Sequence, residues 1–257
     1  MLGSFVGDFV GSAYEHADVK GFNLPLVTSI SNFTDDSVMA AATLYSLKYK
    51  SDFSETLKDW CNKRRDAGFS ETLKSFMDGE DITYFESNGN GAAIRVSPIA
   101  YFANDVPELF EMVESNAMVT HTGSDAVDGA KAIALAIFLK LQKVSNDDVF
   151  RIIKKHFYYS FDIDIDELHK SHQFTTEAAI TVPIAIYIAL TSRSVENCLR
   201  KGLHIGGDVD SILSMALPIL MAGGELKCPN EVLEKMKNKA RINDPELLSM
   251  IEASESL

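Results

Sequence analysis

Two short segments, far apart in the chain, gather carboxylates where helices are about to begin. The first is Phe33-Thr34-Asp35-Asp36-Ser37 and the second is Gly206-Gly207-Asp208-Val209-Asp210-Ser211, which runs into the apolar stretch 212–220. Thr and Asp are good helix N-caps because their oxygens accept from free backbone N–H groups, and the helix dipole favours anions there. Each segment alone therefore also reads as an ordinary acidic helix start. The second asks for more. Its two glycines let the backbone turn tightly, and carboxylates at i and i+2 with a hydroxyl at i+3 can converge on one point. Two Asp flanking a buried helix are costly unless something cationic lies between them. Oxygen-only donors suit Mg²⁺, Mn²⁺ or Ca²⁺ rather than zinc. A third segment, Ser87-Asn88-Gly89-Asn90-Gly91-Ala92-Ala93, gives backbone N–H groups room to face a phosphate. It lacks the GxxxxGK[ST] pattern of a P-loop, and a glycine-rich loop alone is most simply a turn. Arg95, just beyond it, either braces that loop or touches phosphate.

The elements that must position these loops are helical. Val38, Ala41, Ala42, Tyr45 and Tyr49 recur at one face of a helix spanning residues 37–50. Further helices are predicted over 53–65, 69–77, 107–116, 124–141, 147–155, 178–190, 195–203, 210–221 and 231–239. The stretch 178–190 is apolar on nearly all sides and belongs in the core. No stretch alternates with period two. The expected fold class is therefore all-α, one domain of ten or more helices over residues 1–257, with a polar helical tail beyond 224. The acidic run 162–167 and the last residues, 252–257, read as solvated. Trp60 and Tyr45 read as core. Phe69 is either core or a stacking platform for a base. His169 and His172 could share a helical face, but without further ligands nearby they read as solvated or capping.

Composition narrows the partners. The 257 residues carry 24 Lys and Arg against 37 Asp and Glu, a net charge of −13. A phosphate-tracking nucleic-acid binder needs a basic face, so nucleic acid is not an expected partner, nor is an anionic membrane. The longest apolar stretch contains Pro183 and falls short of the roughly 20 residues of a spanning helix. Cys61, Cys198 and Cys228 are odd in number and form no CxxC, which fits reduced, buried thiols and a cytoplasmic protein.

Read jointly, the segments stop looking independent. Gly7-Asp8-Phe9-Val10-Gly11-Ser12-Ala13-Tyr14-Glu15, then 33–39, then 87–98, then Thr120-His121, then 206–211 occur in one order at sensible spacing. The chain resembles the ADP-ribosylglycohydrolase family, of the dinitrogenase-reductase-activating glycohydrolase type, over about residues 2–224, and looks like its compact bacterial members. The resemblance implies a compact all-α fold and a cleft holding two divalent cations, Mg²⁺ or Mn²⁺. It implies metal binding by Thr34, Asp35 and Asp36 from one helix start and by Asp208, Asp210 and Ser211 from the other. It places Glu15 beside the metals and the substrate ribose, residues Ser87, Asn88, Gly89, Asn90 and Gly91 around the diphosphate and ribose, and His121 beside the ADP-ribose. Ser211 stands where the family usually has Thr, and either hydroxyl can ligate. Residues 171–183 depart from the family pattern: Thr175-Thr176-Glu177-Ala178-Ala179 replaces a glycine-rich stretch.

The implied reaction is hydrolysis of the glycosidic bond between ADP-ribose and a modified side chain, foremost arginine, on an ADP-ribosylated protein. Serine-linked or small ADP-ribose conjugates, and a relative that binds without catalysing, are the alternatives. Five carboxylates, Glu15, Asp35, Asp36, Asp208 and Asp210, would repel one another unless divalent cations offset them. Glu15 or one of Asp35 and Asp36 would serve as general base.

Overall fold

A computed structural model describes residues 1–17, 19–80, 86–224 and 226–257. Among them the regular structure is helical throughout, as the sequence leads one to expect. The helices are α1 (Gly3–Gly11), α2 (Asp35–Tyr49), α3 (Phe53–Asn62), α4 (Glu71–Asp78), α5 (Gly91–Arg95), α6 (Val106–Ala117) and α7 (Ser124–Leu141). They continue with α8 (Asn146–Phe157), α9 (Ile165–Ser171), α10 (Ala178–Thr191), α11 (Val195–Ile205), α12 (Val209–Met221), α13 (Asn230–Asn243) and α14 (Pro245–Ser254). A 3₁₀ turn at Ile99–Tyr101 follows α5. One hydrophobic cluster threads through them, including Phe5, Trp60, Ile133, Ile186 and Leu217.

The centre of the fold is the pair α1 and α12. Every residue of α1 is buried, as is nearly all of α12. Gly3, Gly7 and Gly11 recur once per turn along α1 and let its backbone touch that of α12. A Cβ on Gly7 would lie 2.3 Å from the Leu213 carbonyl carbon, and one on Gly11 would lie 2.3 Å from the Asp210 Cα. Contacts that short do not exist between real atoms, so only glycine permits this packing. α10 and α7 flank α12, and α2 packs across α1 and α5.

Helices α1, α5, α9 and α14 are additions to the sequence-based expectation. α9 lies in the run expected to be a solvated acidic segment, and Asp164 caps it by accepting from the amides of Asp166 and Glu167. α14 buries Leu247, Met250, Ile251 and Ser254, so the C-terminal segment is anchored up to that point rather than solvated. An ionic tie adds to this packing: Arg64 donates from Nε and Nη2 to Asp244 and from Nη2 to Glu246 at 2.9 Å. Trp60 and Phe69 are core residues, and the three cysteines are buried and unpaired. Among the described residues no helix is long and apolar enough to cross a membrane.

Candidate active site and metal centre

The close approach of α1 to α12 carries a carboxylate into the interior. Asp8 is wholly buried. Its Oδ2 accepts from the Thr34 amide at 2.9 Å and from the Ser37 amide at 3.1 Å, and its Oδ1 accepts from the Thr34 hydroxyl at 2.8 Å. Asp8 therefore fastens the first turn of α2 to α1. The Thr34 hydroxyl also accepts from the Asp36 amide at 3.3 Å, which makes it the N-cap of α2. Helix α2 begins two residues earlier than its apolar periodicity shows, because the cap is Thr34 and both Asp lie in the first turn. The Asp35 amide donates to the Ala67 carbonyl at 2.8 Å.

The other acidic segment arrives through a turn only glycine adopts freely. Gly206 and Gly207 have φ of +71° and +77°, and Asp208 follows as the residue before α12. Asn90 holds Asp208 in place, donating from Nδ2 to its Oδ2 at 2.7 Å and to Thr181 Oγ1 at 3.3 Å.

The two remote segments meet. Carboxylate oxygens of Asp8, Asp36 and Asp210 lie within 4.8 Å of one another, and so do those of Glu15, Asp208 and Asp210. Burial pushes the Asp8 carboxyl up to about 6, against the pull of its hydrogen bonds from Thr34 and Ser37. Burial and then the charge of Asp8 push Asp35 up to about 7. Asp36 is raised well above the usual carboxylate range by burial and by Asp35, and Asp210 by burial and by Asp36. Burial also raises Glu15 and Asp208. Asp36 Oδ2 and Asp210 Oδ1 are buried with no hydrogen-bond partner. An orphaned buried carboxylate oxygen costs the desolvation of that atom, and repulsion adds to it. Divalent cations with hard oxygen preference relieve both, so this donor set fits Mg²⁺ or Mn²⁺.

The acidic cage opens into a cavity of about 510 Å³. The segment 87–91 forms another part of its lining. That loop is sewn to 176–178: the Asn90 amide donates to the Thr176 carbonyl at 2.8 Å, the Ala178 amide to the Asn88 carbonyl at 3.0 Å, and Gly89 pairs with Glu177 as an isolated antiparallel bridge. The Gly89 amide donates to Ser87 Oγ at 3.3 Å. Two amides of the loop are thus already committed, fewer being free for a phosphate than the glycine pattern implies. His121 lines the same cavity, and Phe174 and His16 stand at it with ring centroids 5.7 Å apart. Among the described residues lining the cavity there is no Lys or Arg.

Of the residues singled out in the sequence, Glu15, Asp35, Asp36, Ser87, Asn88, Gly89, Asn90, Gly91, His121, Asp208, Asp210 and Ser211 all line this one cavity. Thr34 stands behind it, its hydroxyl spent between Asp8 and the Asp36 amide. Asn90 turns its amide to Asp208 and Thr181. Arg95 braces: it is wholly buried and bonds to Asn116, Ala117 and Thr120. Sequence reasoning passed over Asp8, although an acid inside an apolar run was its signal, and did not give Thr176 and Glu177 their partnership with the glycine-rich loop. His169 and His172 take the capping role rather than the solvated one: His169 Nδ1 lies 2.7 Å from the His204 carbonyl near the end of α11, and His172 closes α9, its amide donating to the Leu168 carbonyl at 2.8 Å. The His169 ring stacks on His204 at 4.1 Å, and His172 is buried, its ring against the place a Gly207 side chain would occupy.

The sequence profile of the ADP-ribosylglycohydrolase family matches residues 1–255. The chain belongs to the ADP-ribosylglycohydrolase family. It is a glycohydrolase by that membership, and the family acts on ADP-ribosylated substrates. An uncharacterized protein of Archaeoglobus fulgidus is 28% identical, over 93% of this chain and 90% of that one. The human ADP-ribosylhydrolase ARH3 is 24% identical, over 84% of this chain and 82% of its own length. The mouse ADP-ribosylhydrolase ARH3 is 26% identical, over 84% and 80%. A solved structure titled ADP-ribosylglycohydrolase-related protein complex shares the fold, with a TM-score of 0.68 and 19% identity over 97% of both chains.

Proposed function

We propose that this glycohydrolase cleaves the bond between ADP-ribose and a modified side chain, with arginine as the favoured acceptor, and that two divalent cations, Mg²⁺ or Mn²⁺, support the reaction. One observation carries the reading: Asp35 and Asp36 from one segment and Asp208, Asp210 and Ser211 from the other converge on a single cavity, with buried oxygens of Asp36 and Asp210 unpartnered among the described residues. Asp35 and Asp36 on one side and Asp208, Asp210 and Ser211 on the other would hold the cations, with the Thr34 hydroxyl behind them. The cations would neutralise the cage and orient the hydroxyls of the ribose next to the acceptor.

The chain's own groups do the rest. Hydrolysis forms a bond from a water oxygen to the anomeric carbon and breaks the bond to the acceptor, through an oxocarbenium-like transition state. Glu15 is the general base. Its side chain keeps 23% accessibility and lines the cavity, while its carboxylate adjoins Asp208 and Asp210. Burial raises its carboxyl toward the working pH, which suits a base that accepts the water's proton and passes it to the departing acceptor. Asp35, Asp36 and Asp210 would be engaged by the cations, which leaves Glu15 as the carboxylate free to act as base. His121 and the 87–91 loop hold the ADP-ribose. Arginine is favoured because the cavity carries Glu15, Glu177 and no cationic side chain among its described residues, so it attracts an acceptor that keeps a positive charge.

The test is release of ADP-ribose from arginine-linked and serine-linked ADP-ribosyl peptides, with Mg²⁺, with Mn²⁺ and with chelator. Release that chelator abolishes, faster from arginine, is the expected result. Metal-independent release overturns the cation assignment, faster release from serine overturns the acceptor, and ADP-ribose binding without release overturns catalysis.

A further inference from the structure

Behind the cavity lies a second buried charge. Arg95, at the end of α5, is wholly buried and has no carboxylate partner among the described residues. Nε donates to Asn116 Oδ1 at 2.9 Å, Nη2 to the Asn116 carbonyl at 2.7 Å and the Ala117 carbonyl at 3.3 Å, and Nη1 to Thr120 Oγ1 at 2.8 Å. The guanidinium thus closes the C-terminus of α6, where unpaired carbonyls and the helix dipole favour a cation. Burial brings it down only to about 10, so it stays charged at neutral pH.

Thr120 passes this on. Its hydroxyl lies 2.8 Å from His121 Nδ1. A hydroxyl has one proton and two lone pairs. Arg95 can only donate, so it takes a lone pair of Thr120, and the buried hydroxyl proton is left to Nδ1. Nδ1 must then be bare, and the ring proton sits on Nε2. The opposite tautomer would set two donors against Thr120 and strand its own proton in a buried site. Nε2 faces the cavity between Gly89 and Gly91: a methyl group on Gly89 would come 3.6 Å from Nε2, and one on Gly91 3.2 Å.

We propose that Arg95 and Thr120 are positioning residues that fix His121 as a neutral imidazole with an Nε2–H donor aimed at an acceptor oxygen of the bound ligand. The ligand is the ADP-ribose of the preceding reading, on which that last step rests. The charged and titratable groups around the ring are Arg95 behind it and, sharing its cavity, His16 and the carboxylates of Glu15, Asp35, Asp36, Glu177, Asp208 and Asp210. Such carboxylates would draw an ordinary imidazole toward the cationic form. Burial first and the Arg95 charge second hold His121 down, to about 3. A neutral donor serves this cavity because an imidazolium would compete with divalent cations for the same carboxylates.

The test is ¹⁵N-histidine NMR of the full chain between pH 5 and 8, with ADP-ribose affinity measured beside it. In the wild type, His121 is expected to show a protonated Nε2 and bare Nδ1 throughout. Thr120→Val removes the hydroxyl and keeps the shape; it is expected to give mixed tautomers or a titrating ring, and to weaken ADP-ribose binding roughly tenfold. Thr120→Ser keeps the hydroxyl and is expected to restore both, which separates the relay from a packing role. A wild-type His121 that titrates near its ordinary value, or carries its proton on Nδ1, overturns the proposal. So does Thr120→Val with wild-type spectrum and affinity. If the wild type binds no ADP-ribose, the functional reading falls, and the ligand-free spectrum still decides the tautomer.

Discussion

Two groups of buried charge serve one cavity, and they are treated in opposite ways. Arg95 is a buried cation whose donors are met by the chain itself, through Asn116, Ala117 and Thr120. The carboxylates of Asp36 and Asp210 each bury one oxygen that no group among the described residues meets. A satisfied buried charge is a structural part, since removing it strands its partners. An unsatisfied cluster of one sign is the arrangement that a bound counter-charge would stabilise. The contrast separates framework from site more sharply than burial, which is the same for both.

The contrast breaks most directly at Asp210. Asp210→Asn removes the carboxylate shared by both acidic clusters. We expect a loss of hydrolysis of at least about a hundredfold and disappearance of the thermal stabilisation that Mg²⁺ or Mn²⁺ gives. The metal-free variant should melt above the metal-free wild type, because a repelling charge is gone. Calorimetry in the presence and absence of each ion checks both statements, and an Asp210→Asn protein less stable than wild type without metal would make the cage a structural network like that of Arg95. At Arg95 the sign reverses. Arg95→Leu strands Thr120 and the carbonyls of α6, and should cost on the order of 3 kcal/mol whether or not cations are present, read from denaturant titration.

The acidic side also has a pH signature that the basic side lacks. Asp8 and Asp35 have folded-state values raised to about 6 and about 7. A carboxyl raised on folding favours the folded state when protonated, so that contribution is whole below the unfolded value near 4 and is lost as pH rises through 6 and 7. His121, held down to about 3, acts the other way and adds stability as pH rises to its unfolded value near 6.5. The acidic contribution is therefore read as a difference: the melting temperature of the metal-free wild type should fall relative to that of metal-free Asp35→Asn from about pH 4 to 7, and saturating Mg²⁺ or Mn²⁺ should flatten the wild-type profile. A wild-type melting temperature that rises relative to that of Asp35→Asn over that interval would show these carboxylates compensated from within the protein.

How far the sequence disclosed this arrangement depends on what kind of signal each part carries. The acidic segments were legible because caps and glycines have local chemistry, and the long helices because one face of each is apolar. Helix α1 carries neither sign. It is buried all round and so has no polar face to mark a period. Its signal is spatial, a glycine at every fourth residue, which acquires meaning only when α12 lies against it. Asp8 went unread for the same reason: an acid in an apolar run looks like an interruption until its partners, Thr34 and Ser37, are brought to it from elsewhere in the chain. The pairing of 87–91 with 176–178 is likewise tertiary, and Thr176 takes part through its carbonyl, which its side chain does not advertise.

That dependence on α1 gives a subtler test. Gly7→Ala places a methyl group against the Leu213 backbone and must push α1 off α12. Overpacking of this kind costs about 1–3 kcal/mol. Because Asp8 and Asp210 sit on the two helices, cation affinity should fall together with stability, whereas Arg95→Leu should lower stability and leave cation affinity nearly in place. Parallel titrations of Mn²⁺ into the two variants distinguish a displaced cage from a weakened framework.

The smallest effect is expected at Ser211, where the family resemblance anticipates threonine. Ser211 is nearly buried at the cavity wall, one residue past Asp210 in the first turn of α12. Ser211→Thr keeps the hydroxyl oxygen as a donor to a cation and adds one methyl group. Threonine's branched Cβ narrows its χ1 choices in a helix, though its hydroxyl can still occupy two of them. If the methyl finds room, the cation midpoint and the hydrolysis rate should stay within about threefold of wild type, the equivalent of under 1 kcal/mol. Ser211→Ala removes the oxygen at smaller volume and should shift the cation midpoint more than Ser211→Thr does. Were the two to act alike, volume rather than oxygen would be what matters at 211, and the cation donors of α12 would be Asp208 and Asp210 alone.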